Sequence, residues 1–239
     1  MAKLLAIVPA YNEEDAIRGV VRGIRAAWPD ADVLVVDDGS GDETSERASA
    51  AGARVLRLPF NLGIGGAVQA GYRVAWDEDY DVAVQIDGDG QHPPDELPRL
   101  MAAMEEGRSN VVIGSRFAWA SDYRGSRSRR GGILILSWLV SRMVGRRLTD
   151  TTSGFRAADR RAIELFAAHY PHDYPEVEAI VMASRAGLRV TEVPVRMLER
   201  ASGRSSITPL RSGYYMLKVL LAIGVLWIGR RPSPVEAPA

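Results

Sequence analysis

The sequence predicts an α/β protein built on a mostly parallel sheet with helices on both faces. Three short apolar runs, at residues 4–8, 33–36 and 82–86, do not alternate with polar residues. Strands of that kind are buried on both sides. Segments with apolar residues at helical spacing separate them, an alternation typical of parallel strands joined by helices. With 239 residues, 46% of them hydrophobic, the chain is long enough for one large domain with a sizeable core.

The remaining elements follow the same alternation along the chain. Further strands are expected at residues 54–58 and 111–113, and helices at residues 13–28, 40–51, 63–76 and 94–106. We expect the folded domain to cover residues 1–209. An apolar helix at 210–231 and a disordered Pro-rich tail at 232–239 are expected to follow it.

The composition excludes several kinds of site. The chain has no Cys, which excludes disulfides, thiolate metal sites and cysteine nucleophiles. Its three His residues do not form a zinc-ligand cluster. The N-terminal apolar run is short and is followed directly by acidic residues, unlike a secretory signal. We therefore expect a cytoplasmic protein.

The charges are unevenly distributed, although the formal net charge is zero. Residues 1–110 hold 20 acidic and 10 basic side chains, and residues 111–239 hold 10 acidic and 20 basic. The first part is suited to binding cations and the second to binding anions. A chance distribution over solvated faces is the alternative interpretation.

The C-terminal run at residues 214–229 is very apolar but contains Lys218. It is shorter than the roughly 20 residues needed to span a bilayer. One interpretation is a buried core helix, and the other is a helix at a membrane interface or on a small membrane-protein partner. Trp227, Arg230 and Arg231 favour the membrane, since aromatic and basic residues anchor helices there. The predicted location is the cytoplasmic face of a membrane, with peripheral association.

Acidic residues follow the predicted strands where ligands bind in open parallel sheets. Asp37 and Asp38 end the second strand, and Asp87 and Asp89 follow the fourth with Gly88 between them, so four carboxylates besides Glu13 are expected at one edge. Like charges at one edge raise pKa values unless a cation is present. Carboxylate ligands, with Gln91 as a further candidate, favour Mg²⁺ or Mn²⁺ over zinc. Such an ion bridges diphosphate oxygens.

The glycine-rich segment Gly63-Ile64-Gly65-Gly66 does not fit the dinucleotide-binding pattern, because Val68 stands where the third Gly belongs. A P-loop motif is absent as well. We interpret the segment as a helix start that allows close packing.

Six spaced motifs carry a family resemblance that runs from about residue 4 to residue 217. They are Val8-Pro9-Ala10-Tyr11-Asn12-Glu13, Val36-Asp37-Asp38-Gly39-Ser40, Asn61-Leu62-Gly63, Asp87-Gly88-Asp89-Gly90-Gln91-His92-Pro93, Gly114-Ser115-Arg116 and Thr152-Ser153-Gly154-Phe155-Arg156. The chain resembles family 2 glycosyltransferases of GT-A fold, and is similar to dolichol-phosphate mannose synthases and bacterial polyprenyl-phosphate sugar transferases. The resemblance implies inverting transfer of one sugar from a nucleoside-diphosphate donor to a lipid phosphate.

The resemblance also implies roles for individual residues. Residues implied to bind the nucleotide sugar are Pro9, Tyr11, Glu13, Val36, Asp38, Asp87, Gly88, Asp89, Arg116 and Arg200. Those implied to hold the metal are Asp87, Asp89 and Gln91. Asp89, Arg116 and Arg200 are the expected catalytic residues. Ser206 stands where eukaryotic members carry Lys, and Arg204 is the candidate substitute for that cation.

The acceptor is expected to be a polyprenyl phosphate. A hydroxyl acceptor needs a general base, whereas a phosphate oxygen is already anionic at neutral pH. Residues 124–149 contain seven Arg and no acid around an apolar segment, which suits an anionic head with a lipid tail, although a buried helix bordered by solvated Arg fits the pattern equally well. The expected acceptor loop contains Asp150, Ser153 and Arg204.

Several alternatives stay open. Glu176, Glu178 or Asp150 either places a carboxylate near the anomeric carbon or caps a helix. The acceptor could be a soluble or polysaccharide hydroxyl instead of a lipid phosphate. A nucleotidyltransferase or a non-catalytic membrane-recruiting subunit fits the motifs less well. Nucleic acid is not an expected partner.

Overall fold

The structure is a computed structural model. It describes residues 2–117, 127–172 and 174–198 and the single positions 218 and 224, with side chains left out at 127–133 and 135. The predicted helix at 210–231, apart from those two positions, and the tail at 232–239 lie outside the described residues. The domain boundaries therefore stay predictions.

Seven strands form one sheet. They are β1 (Leu4–Ala10), β2 (Asp32–Asp37), β3 (Arg54–Arg57), β4 (Val82–Gln85), β5 (Val111–Ser115), β6 (Arg156–Asp159) and β7 (Val190–Pro194). Their spatial order is β3-β2-β1-β4-β6-β5-β7. Every neighbouring pair is parallel except the two pairs made by β6, which runs antiparallel to both β4 and β5. The prediction of a mostly parallel sheet is confirmed.

Within the described part of residues 2–198, seven helices and one short 3-10 turn at Pro94–Glu96 accompany the sheet. The helices are α1 (Ile17–Ala27), α2 (Thr44–Ala50), α3 (Gly63–Asp77), α4 (Leu97–Gly107), α5 (Arg127–Val144), α6 (Arg160–Ala168) and α7 (Pro175–Arg185). The part of the chain that the structure describes has no helix long and apolar enough to cross a membrane.

The core lies in two layers, one on each face of the sheet. Along β1, Leu5 and Ile7 belong to one apolar cluster, together with buried side chains of α3, α6 and α7. Leu4, Ala6 and Val8 belong to the other cluster, together with side chains of α1 and α4. Both faces of the central strands are therefore buried in apolar core, which explains why their apolar runs do not alternate with polar residues.

The sheet brings the ends of β1, β2 and β4 to one edge, because these three strands are parallel neighbours. Ligands of open α/β sheets bind beyond such carboxyl ends. The strand β6 was not expected from the sequence, since its four residues Arg156-Ala157-Ala158-Asp159 form no apolar run. It lies between β4 and β5 and carries Arg156 into the centre of the sheet.

Candidate active site

A cavity of about 440 Å³ opens at the carboxyl ends of β1, β2 and β4. Its lining residues are Pro9, Ala10, Tyr11, Glu13, Asp38, Asn61, Gly63, Ile64, Ala67, Asp87, Gly88 and Asp89. Seven of the residues predicted to bind the nucleotide sugar are among them. The Tyr11 side chain is half exposed beside the cavity, as a ring available for stacking on a base would be.

Four carboxylates meet at this cavity, those of Glu13, Asp38, Asp87 and Asp89. Asp37, which was expected at the same edge, does not line the cavity. Its fully buried carboxylate accepts hydrogen bonds from the Ser40 amide, at 2.8 Å, and from the Ser45 hydroxyl at the start of α2. One oxygen of Asp38 accepts the Leu62 amide at 2.7 Å, which ties the loop before α3 to the end of β2.

Asp87 is held from three sides. Its amide donates to Nδ1 of His92 at 3.2 Å, so this ring nitrogen is an acceptor, and its 3.5 Å approach to the Asp87 carboxylate is not an ion pair. The His92 ring is buried and stacks on Phe155 with ring centroids 5.3 Å apart. Gln85 Nε2 donates to Asp87 Oδ1 at 3.4 Å. A Cβ on Gly154 would lie 2.8 and 2.9 Å from the two carboxylate oxygens, so only glycine leaves room for them.

The Asp87-Gly88-Asp89 turn packs directly against β1. A Cβ on Gly88 would lie 3.0 Å from the Pro9 carbonyl oxygen and 3.1 Å from Ala10 Cβ, closer than most side chains tolerate. The Gln91 amide donates to Asp89 Oδ1 at 3.0 Å, which closes the turn after the motif. The glycine between the two acids thus permits both of them to line one cavity.

Asp87 and Asp89 suit a Mg²⁺ or Mn²⁺ ion that also binds a diphosphate. Within the residues covered by the structure, no three His, Cys, Asp or Glu side chains form a ready-made metal cage. Ions of this class are commonly held by one or two carboxylates together with substrate phosphates. Two carboxylate side chains in one cavity fit that chemistry.

Arg116 and Asp150, predicted for different parts of the site, contact each other. Nε and Nη2 of Arg116 donate to the two oxygens of the fully buried Asp150 carboxylate at 2.6 and 2.7 Å. Nη2 also donates to the Thr152 hydroxyl at 2.7 Å. Such a bidentate pair fixes the plane of the guanidinium. Asp150 therefore orients Arg116, and its buried carboxylate is not exposed to an acceptor.

Two further ionisable side chains, those of Arg156 and Glu176, interact electrostatically with each other. Arg156 is buried in β6, and its guanidinium donates to the carbonyls of Ser153 and Thr151. Glu176 stands in the first turn of α7. Burial raises the pKa of Glu176, and the Asp87 carboxylate adds to the effect, while Arg156 and Arg116 oppose it. The pKa of Glu176 thus depends on Asp87, the predicted metal ligand, and on Arg116, the predicted phosphate ligand.

Other predicted residues lie elsewhere. Val36 is fully buried in the core, so its side chain supports the sheet and does not line the cavity. Gln91 is also not a lining residue. Ser153 is buried, and its hydroxyl accepts the Phe155 amide at 3.3 Å within the loop before β6. Arg200 and Arg204 lie outside the described residues.

Several residues of the site had no predicted role. Asn61, Ile64 and Ala67 line the cavity, and the sequence signals near them were the Asn61-Leu62-Gly63 motif and the glycine-rich segment Gly63-Ile64-Gly65-Gly66. Gly154 approaches Asp87 from 67 residues further along the chain and because it lacks a side chain, whereas His92 lies five residues after Asp87 in the same motif but had been given no role. Residue types and spacing do not reveal such contacts.

Comparison with known proteins agrees with this architecture. The chain is 37% identical to the undecaprenyl-phosphate mannosyltransferase of Micrococcus luteus, covering 86% of this chain and 88% of the relative. It is 31% identical to the polyprenol monophosphomannose synthase of Mycolicibacterium smegmatis, covering 91% and 85%. The fold matches that of Mycobacterium tuberculosis glucosyl-3-phosphoglycerate synthase, crystallised with Mn²⁺, UDP and phosphoglyceric acid. For that structure the TM-score is 0.71 and the identity 23%, with 97% of this chain and 80% of the other covered.

The family model described as glycosyl transferase family 2 matches residues 5–166. This span runs from β1 to α6 and includes the cavity, the Asp87-Gly88-Asp89 turn and the Arg116–Asp150 pair. The chain belongs to glycosyl transferase family 2 and is a glycosyltransferase of GT-A fold.

Proposed function

We propose that this enzyme moves a sugar, with inversion, from a nucleoside-diphosphate donor of the GDP-mannose or UDP-glucose type to a polyprenyl or dolichyl phosphate. The observation that carries the proposal is the cavity in which Asp38, Asp87 and Asp89 meet at the carboxyl ends of parallel strands. The similarity to two enzymes named for the transfer of mannose to polyprenyl phosphates supports this acceptor class.

Different residues of the cavity would bind different parts of the donor molecule. Tyr11 and Pro9 would face the base, and Glu13 and Asp38 the ribose hydroxyls. Asp87 and Asp89 would hold Mg²⁺ or Mn²⁺, which supplies positive charge to the diphosphate. Gly88 packs against Pro9 and Ala10, so the proposed base and diphosphate sites lie at the ends of two neighbouring strands.

The proposed reaction is a single displacement. An oxygen of the acceptor phosphate forms a bond to the anomeric carbon as the bond from that carbon to the diphosphate oxygen breaks. The nucleoside diphosphate leaves with the bonding electron pair. Arg116, whose plane is fixed by Asp150, would stabilise the charge that develops on the leaving group. Arg200 is proposed for the same role, and Arg204 for the acceptor side; the Ser153 hydroxyl is buried within its own loop and is given no role there.

No proton has to leave the acceptor in this scheme, because a phosphate oxygen is already anionic at neutral pH. Burial raises the pKa of Glu176, which makes its carboxylate a stronger base, but the proposed scheme contains no acceptor proton for it to remove. We therefore assign Glu176 no part in activating the acceptor. A soluble hydroxyl acceptor would need such a base.

We further propose that the enzyme works at the cytoplasmic face of a membrane through the outer face of α5. Leu134 and Trp138 are 53% and 65% exposed there, one helical turn apart. Arg142 continues the same stripe, and Arg146 and Arg147 just beyond the helix are also exposed. Exposed apolar side chains next to a group of arginines suit the interface of an anionic bilayer. A small membrane-protein partner is the other proposed anchor, through the segment 210–231.

The decisive experiment is a transfer assay with purified protein. Labelled GDP-mannose, UDP-glucose and UDP-N-acetylglucosamine are each offered with undecaprenyl phosphate, with aliphatic alcohols and with phosphoglyceric acid, in Mn²⁺ or in EDTA. The proposal expects label in undecaprenyl phosphate alone, lost in EDTA. Transfer to a hydroxyl acceptor in preference to the lipid phosphate would contradict it.

A matched pair of acidic variants tests the metal site. Asp89→Asn is expected to abolish Mn²⁺-dependent nucleotide binding while the thermal unfolding midpoint changes little. Asp30→Asn, in an exposed turn before β2 at the opposite edge of the sheet, is the control and is expected to bind normally. If Asp89→Asn in EDTA turned over as fast as the wild type with Mn²⁺, the reaction would not depend on a metal at this site.

The membrane surface is tested separately by vesicle flotation. Trp138→Ser combined with Leu134→Ser is expected to release the protein from vesicles containing phosphatidylglycerol. Transfer to a short-chain, water-soluble polyprenyl phosphate should be unaffected. If the double variant floats with the vesicles as the wild type does, α5 is not the docking surface.

A further inference from the structure

Both carboxylate oxygens of Glu192, in β7, accept hydrogen bonds from the same loop. Glu192 stands opposite Ile113 in the parallel pairing of β7 with β5. Its Oε2 accepts the Thr149 amide at 2.7 Å, and its Oε1 accepts the Asp150 amide at 2.7 Å and the Thr149 hydroxyl at 3.0 Å. Three donors from two successive residues thus meet one side chain of a different strand.

This contact fixes the loop where its geometry matters for Arg116. The segment between the end of α5 and the start of β6 contains no regular structure, and Asp150 lies in its middle. Asp150 points its carboxylate at Arg116, at 2.6 and 2.7 Å. A second tie joins the Thr149 hydroxyl to the Ser115 hydroxyl at 2.9 Å, directly before Arg116 in sequence.

We propose that Glu192 is a positioning residue, which holds the Asp150 backbone so that Asp150 aims the Arg116 guanidinium at the donor diphosphate. The role of Arg116 at the diphosphate rests on the proposed function, but the path from Glu192 to Arg116 does not. Glu192 acts through Asp150 and touches no substrate itself. The sequence contained no signal for it, because it lies 42 residues from Asp150 along the chain.

The charged form of the side chain is what the loop requires. A carboxylate offers acceptors at both oxygens, whereas the amide of Gln offers one oxygen and an NH₂ group. In Glu192→Gln, that NH₂ would face either the Thr149 amide or the Asp150 amide, donor against donor. Glu192→Asp keeps the charge but is shorter by one methylene, so it reaches the two amides less well.

The first measurement needs no ligand. We expect the Nε–H of Arg116 to exchange with solvent about tenfold faster in Glu192→Gln than in the wild type, the scale of one lost hydrogen bond to a charged group. Nitrogen-15 NMR on the intact protein follows this proton. Glu192→Asp is expected to lie between the two. Thr191→Val is the control, because it removes a 2.9 Å hydrogen bond to Ser109 from the same strand without touching the loop.

The second measurement uses nucleotide binding. In Glu192→Gln the Kd for UDP or GDP with Mn²⁺ is expected to rise, and kcat/KM for the donor to fall, each by about tenfold. In an Asp150→Asn background, where the bidentate pair with Arg116 is already lost, Glu192→Gln should add little. Additive losses in that cycle would show that Glu192 does not act through Asp150.

The outcomes separate the positioning role from the proposed function. If Glu192→Gln and Glu192→Asp only lower the unfolding midpoint, as Thr191→Val does, and leave Arg116 exchange unchanged, Glu192 is merely structural and the inference is wrong. If exchange at Arg116 speeds up while the wild type transfers no sugar to any lipid phosphate, the positioning role stands and the proposed function fails.

Discussion

Replacing Gly154 with Ala tests how closely the site depends on the position of Asp87. Gly154 lies in the loop before β6, and its backbone is not in the left-handed region that disfavours other residues. An added Cβ would nevertheless lie 2.8 and 2.9 Å from the Asp87 oxygens and 3.1 Å from Gln85 Nε2. The substitution therefore changes the space beside one carboxylate and leaves the backbone unstrained.

The size of the effect follows from these distances. Ordinary van der Waals contact begins near 3.4 Å, so the Asp87 carboxylate must move by about 0.6 Å. Misplacing a reacting group by about 1 Å costs about 100-fold in rate. We therefore expect kcat/KM for the donor to fall by about 10- to 100-fold, or about 1.4–2.7 kcal/mol of transition-state stabilisation.

Steady-state transfer and Mn²⁺-dependent nucleotide binding measure this effect. Gly19→Ala is the matched control, because Gly19 lies in α1 with nothing within 4 Å of an added Cβ. It is expected to stabilise the fold by about 0.5–1 kcal/mol and to leave activity unchanged. A folded Gly154→Ala variant with kcat/KM within twofold of the wild type would refute the importance of Asp87 placement.

Three further predictions follow from the same contacts. Burial raises the pKa of Glu176 in the folded protein, so ionisation of this side chain destabilises the fold at any pH above its pKa in the unfolded chain. Glu176→Gln should therefore raise the thermal unfolding midpoint more near pH 8 than near pH 4. An equal rise at the two pH values would contradict this. His92→Leu leaves the Asp87 amide without its acceptor and should cost about 1–3 kcal/mol in denaturant unfolding, with a weaker Kd for Mn²⁺ and nucleotide; unchanged values of both would show that this bond is dispensable. Asp150→Asn breaks a buried ion pair and should lower the free energy of unfolding by about 3–5 kcal/mol. Arg116→Lys keeps the positive charge but loses the bidentate contact, and it should mainly raise the donor KM. A larger loss of stability in Arg116→Lys than in Asp150→Asn would argue against the orienting role of Asp150.

The parts of the fold that could be predicted are those with a local signal. Residues 4–8 and 33–36 are apolar without alternation because both faces of these strands are covered, so strand type and parallel pairing could be read together. The strand β6 has no such signal, because two of its four residues are Ala and the other two are charged. Its antiparallel insertion depends on partners on both sides.

The candidate site shows the same division. Asp38, Asp87 and Asp89 were predicted to meet because they follow strands that end at one edge, and they line one cavity. Arg116 and Asp150 were predicted for the donor and the acceptor, but their bidentate contact was not. No periodicity or motif spacing connects residues 34 positions apart in irregular segments.

By itself, the sequence determined the class of fold, the strands that end in acids and the membership in a family of sugar transferases. These depend on apolar periodicity and on turn residues next to them, which act over a few positions of the chain. Only the tertiary structure decided how the charged groups are held: Asp150 pairs with Arg116, and Glu192 binds the loop that carries Asp150. The physical reason is that a hydrogen bond depends on distances of a few tenths of an ångström between residues that only folding brings together.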